Sequence, residues 1–193
     1  MQLAQANEMA FIAMSDTSDL GVNIQFLLDV NQCDNLDELG MRVFQALKSY
    51  GISCSLQLHS QFAVKNMEAN GLMKALESRL LEEMRDQGRY VDFRHRSVTN
   101  DESVSLLVKN MPIDDEKKYG AIKDNIFSLL QGTDARIQAL DTLENLALEK
   151  SLVRSLTIKM KGLMSSVDES YQCVMKDIAD VVEDMADNIE TSM

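Results

Sequence analysis

The chain of 193 residues has no tryptophan, one proline, two histidines and three cysteines, and aromatic residues make up only 5% of it. Each scarcity excludes a class of function. His59 and His95 have no cysteine or carboxylate beside them at ligand spacing, so no metal or haem site is expected and both read as strand-face residues. Cys33, Cys54 and Cys173 are odd in number and widely spaced, which argues against a disulfide framework and for small buried apolar residues. No apolar run reaches the roughly 18 to 20 residues that cross a bilayer, and the N-terminus lacks the basic segment and apolar core of a signal peptide. With 19 Lys+Arg against 31 Asp+Glu, the net charge of −12 opposes any phosphate backbone. A soluble cytoplasmic protein is expected, with neither a membrane nor a nucleic acid as partner. Neither G-x-S-x-G nor G-x-x-x-x-G-K-[ST] occurs, so no catalytic residue is assigned, enzyme activity is not expected and no cofactor is required.

What the chain does have is apolar periodicity that changes along its length. Residues 1 to 31 read as an amphipathic lead-in helix carrying Met9 and Ile12, with an interruption at Ser15–Asp19 before Leu20, Ile24, Leu27 and Leu28. Asn35 and Glu38 have capping-box spacing, and Leu36, Leu39, Val43, Leu47 and Tyr50 recur at helical steps until Gly51. From Ile52 to His59 the pattern inverts to strict alternation, the clearest strand in the protein, and a short second strand is expected near Phe62–Lys65. A helix opening at Asn70-Gly71 aligns Met73, Leu76, Leu80 and Met84, with Gly88 as its C-terminal cap. A hairpin follows, its strands around Val91–His95 and Val104–Val108 joined by Asn100-Asp101-Glu102. Leu106 belongs to its core face, so Leu106→Asp is expected to unfold the globular part and Lys109→Asp to be far milder. Pro112 closes the hairpin, and a helix resumes near residue 115 behind Asp114, Asp115 and Glu116, with a possible break at Gly132. The order of elements is α+β: a small antiparallel sheet flanked by helices.

The tail is different in kind. Met160, Met164, Val167, Tyr171, Val174, Ile178, Val181 and Met185 step by alternating four and three residues, the seam of a coiled coil or helical bundle. Leu146, Val153 and Leu156 fit the same period only with an extra four-residue step near Met160. One long helix and a helical hairpin breaking near Gly162 both satisfy this pattern, the hairpin slightly better.

Several of these stretches resemble the GAF-like region that follows the receiver domain in a group of bacterial response regulators. They are Met9-Ala10-Phe11-Ile12-Ala13-Met14 with Asp19-Leu20-Gly21, Tyr50-Gly51-Ile52-Ser53-Cys54, Ser105-Leu106-Leu107-Val108-Lys109-Asn110-Met111-Pro112, and Tyr119-Gly120-Ala121-Ile122-Lys123-Asp124. The resemblance implies a GAF-like domain over 32–137, between the lead-in segment 1–31 and a dimerisation and signalling tail over 138–193. It also implies a non-enzymatic regulatory module of two-component-type signal transduction, acting through homodimerisation and contacts with other signalling proteins. The chain departs from those proteins in having no receiver domain, so it is expected either to act without phosphorylation in cis or to be a piece of a longer protein. Two alternatives stand beside this reading: a small-molecule sensor, with Arg94, His95 and Arg96, supported by Arg89 and Lys109, as candidate cations for an anionic ligand, and an inert oligomerisation scaffold.

Overall fold

The computed structural model describes residues 2–72 and 74–190. The sides of the helix assigned to Met9 and Ile12, and the alignment of Met73, lie outside what is described. The chain divides into two compact units, Met1–Leu143 and Glu144–Met193.

The first unit is α+β. Helix α1 (Gln2–Val30) and helix α2 (Leu36–Ser49) lead into strand β1 (Cys54–His59), which turns back into β2 (Val64–Glu68) and the two-residue β3 (Gly71–Leu72). Helix α3 (Ala75–Met84) runs into a short 3-10 turn, and β4 (Tyr90–Phe93), β5 (Arg96–Asn100) and β6 (Val104–Val108) follow. Helix α4 (Glu116–Glu190) completes the unit with its residues up to Leu143. The strands form one antiparallel sheet in the order β3-β2-β1-β6-β5-β4.

Local chemistry accounts for the boundaries. Asn35 caps α2 by accepting from the Glu38 N–H at 2.9 Å, and Glu38 returns a carboxylate to the Asn35 side chain and to the Asp34 N–H. Gly51, at φ 70°, takes the left-handed conformation that lets α2 stop and β1 begin. Asp115 starts α4 by accepting from the Lys118 N–H at 3.0 Å.

Strand alternation then builds two layers. Cys54, Leu56 and Leu58 of β1 share a face with their cross-strand partners Val108, Leu106 and Val104 of β6. This face meets Phe26 and Val30 of α1, Leu39, Val43 and Leu47 of α2, and Ile122, Ile126, Leu130 and Ile137 of α4. The opposite face carries a smaller apolar cluster, in which Val98 and Leu107 pack under Leu81 of α3.

Four expectations change. Helix α1 is continuous through Ser15–Asp19, because polar residues there interrupt the apolar pattern without adding a proline or a φ-positive glycine to break the backbone. Helix α4 is likewise unbroken at Gly132, where a methyl group would come within 2.6 Å of Leu27, so that glycine admits α1 and does not end the helix. Asn70 belongs to the turn between β2 and β3 and Gly71 to β3 itself, and α3 begins four residues after Gly71, at Ala75. The stretch expected to be one hairpin is two: Arg94-His95 turns β4 into β5, Asn100 ends β5 as a buried residue, and only then does the chain turn into β6.

In the second unit the helix runs without a break at Gly162 or Ser166, so a single helix takes the place of the expected hairpin. Neither residue forces an end: glycine costs an exposed helix only about 1 kcal/mol relative to alanine. Among the described residues, no helix is long and apolar enough to cross a membrane.

Candidate functional site

Two surfaces carry the candidate residues. The first is the layer between α3 and the sheet. Ser55, Gln57 and His59 alternate out of β1 away from the main core, and α3 packs on this side of the sheet through Leu81 and through Glu77, which accepts from Ser55. Lys109, one residue beyond β6, reaches into this layer and places its ammonium 2.5 Å from Glu68 and 2.9 Å from Glu77 of α3, while Ser55 donates to Glu77 at 2.6 Å. Burial alone would raise the Glu77 carboxyl, but the hydrogen bonds from Ser55 and Lys109 outweigh it and hold the group below its ordinary value. Burial would likewise lower Lys109, and its two glutamates raise it instead.

Beside this ion cluster, Asn100, Ser105, Gln57 and Asn66 form one row across β5, β6, β1 and β2. Gln57 donates to Asn66 at 2.7 Å, and the Asn100 amide donates to the carbonyls of Met84 and Gly88, both at 2.8 Å. The neighbouring Asn100 Oδ1 and Ser105 Oγ are buried without a hydrogen-bond partner. Two such atoms in adjacent positions are costly unless a donor reaches them. At the end of the layer His59 lies between Gln57, 3.1 Å from Nε2, and Arg85, 3.1 Å from Nδ1. A groove of about 650 Å³ opens there, bordered by His59, Val64, Arg85, Glu102 and Asp141.

Of the residues proposed for an anionic ligand, Lys109 alone reaches that layer. Arg94, at φ 56°, and His95 make the exposed β4–β5 turn, and Arg96 is exposed at the start of β5. The His95 carbonyl accepts from the Met111 N–H, a structural role for its backbone. Arg89 stacks on the Phe127 ring at 4.1 Å, and Lys109 belongs to its two glutamates. Cys33 and Cys54 are buried, and burial pushes the Cys54 thiol up to about 12, whereas Cys173 is exposed, contrary to the expectation of three buried cysteines.

The second surface is the tail. Met160, Met164, Val167, Tyr171, Val174, Ile178, Val181 and Met185 are each between 53% and 66% exposed. Leu146, Val153 and Leu156 upstream are exposed as well. Such a repeat of large apolar side chains along one helix face is costly in water and satisfied by another helix.

No family model matches the chain, and comparison with curated proteins and with solved structures finds no match.

Proposed function

We propose that the chain is a non-enzymatic regulatory module of two-component-type signalling that works through protein contacts, with the tail seam joining two copies. The observation that carries this reading is the run of eight exposed apolar residues at heptad spacing. Each such side chain, once buried, contributes on the order of 1.5 to 3 kcal/mol, enough in sum to offset the entropy of association. The bacterial signalling context and the GAF-like identity of the sheet rest on the residue resemblances alone. Replacing Val174 by Glu and Ile178 by Lys tests the reading: a dimeric parent should become a monomer with its sheet unit still folded. An unchanged mass would mean that the seam is not what joins the copies.

A second reading, a small-molecule sensor, draws on the groove of about 650 Å³ bordered by His59, Arg85 and Glu102 at the end of the polar layer. Native mass spectrometry of the purified protein separates the two readings, because a sensor of this kind retains a stoichiometric small molecule.

A further inference from the structure

The seam gives the tail a reason to find a partner; the charge distribution along the same helix bears on how that partner is oriented. Residues 150–161 contain Lys150, Arg154, Lys159 and Lys161 and no acid. Residues 176–185 contain Asp177, Asp180, Glu183 and Asp184 against the single base Lys176. The two blocks have opposite charge and similar length, and both lie on the same unbroken helix. Within each block like charges stand one helical turn apart, Lys150 with Arg154 and Asp180 with Asp184, an arrangement that destabilises an isolated helix.

The apolar stripe extends through both blocks. A strict heptad drifts about 20° per repeat around a straight helix, and the two consecutive four-residue steps Leu156–Met160–Met164 turn the stripe back against that drift. Leu146, Val153 and Leu156 therefore share a face roughly 100° wide with the eight seam residues.

From the seam and the charge blocks together, we infer that the tail's partner is a second copy of this chain docked antiparallel, the basic block of each helix against the acidic block of the other. The inference rests on the dimer reading above and adds its orientation. Parallel pairing would set four bases against four bases and four acids against four acids, a repulsion that opposes assembly. Antiparallel pairing centred on Glu169 sets Val153 opposite Met185, Met160 opposite Ile178, Met164 opposite Val174 and Val167 opposite Tyr171. In that same register Arg154 is level with Asp184, Lys161 with Asp177, and Lys159 lies within one residue of Asp180. The apolar layers also fit a register shifted by one heptad, with Met160 opposite Met185, Met164 opposite Val181, Val167 opposite Ile178 and Tyr171 opposite Val174; the register centred on Glu169 is the one that brings both Arg154 and Lys161 level with acids.

Cysteine cross-linking tests the orientation in the full-length chain carrying Cys173→Ser, which removes the exposed native thiol. Val153→Cys and Met185→Cys proteins, mixed and oxidised with copper phenanthroline, should give a cross-linked dimer, while Val153→Cys alone should give none, since its two copies would be about 48 Å apart. Met160→Cys mixed with Ile178→Cys provides a second pair should one of the first variants fold poorly. Cross-linking of Val153→Cys alone would establish parallel packing and overturn the inference while leaving the dimer reading intact. Monomeric protein with no cross-link in any combination would overturn both. A dimer that none of these pairs captures would overturn the inference of an antiparallel pair centred on Glu169.

Discussion

The Arg85 guanidinium lies 3.1 Å from His59 Nδ1, and because arginine can only donate, that ring nitrogen must be the acceptor and the imidazole neutral. The remaining proton is on Nε2, aimed at Gln57 Oε1. Burial, followed by the Arg85 charge, pushes His59 down to about 4. Between pH 6.5 and about 4 the unfolded chain therefore binds a proton at this residue that the folded chain refuses, and stability falls as pH falls through that window. Because His59 is partly exposed, the effect is on the order of 1 kcal/mol. Denaturant titrations at a series of pH values should show this loss in the parent and not in His59→Gln. Parallel pH profiles for the two proteins would contradict it.

Lys109 should be far from tolerant. Lys109→Asp brings a third carboxylate beside Glu68 and Glu77 under α3, and a loss of about 3 kcal/mol or more is expected. Lys109→Met, which keeps the bulk of the side chain, should cost less than Lys109→Asp but still more than 1 kcal/mol, because both glutamates lose their partner. Thermal denaturation of the two variants checks the order.

That result would reverse the expectation drawn from the sequence, and the reason is physical. Alternation in β1 correctly separates Cys54, Leu56 and Leu58 from Ser55, Gln57 and His59, but a polar strand face looks the same whether water or a polar layer covers it. Here α3 packs on that side, and Ser55, Gln57 and Lys109 are satisfied by Glu77, Asn66 and Glu68. The β4–β5 turn was illegible for a related reason: Arg94 holds its positive φ with no glycine, asparagine or aspartate to announce it. Strand β3, two residues long, is too short for any period. The α2 cap, β1 and the helical character of the tail are legible because each depends on local spacing alone.

Leu106→Asp should abolish the fold of the first unit. The side chain is fully buried between Leu56 and the covering helices, and an unpaired carboxylate there costs several kcal/mol. Loss of the cooperative thermal transition is the expected outcome, and an unchanged transition would mean that the strand register is wrong.

Asp141 ties α4 to the β1–β2 turn, accepting from Ser60 Oγ at 2.5 Å and from the Gln61 N–H at 2.9 Å. Asp141→Ala leaves both donors without this carboxylate and should cost about 1 to 3 kcal/mol. Amide hydrogen exchange should rise first at the turn between β1 and β2, and a uniform rise across the sheet would show that the contact is not local.

The exposed seam from Met160 to Met185 is proposed to join two copies of the chain. Light scattering on the unmodified protein across the micromolar range tests it most directly. Twice the 21.7 kDa chain mass is expected at tens of micromolar, falling toward one chain on dilution. A single-chain mass that persists at tens of micromolar would contradict it.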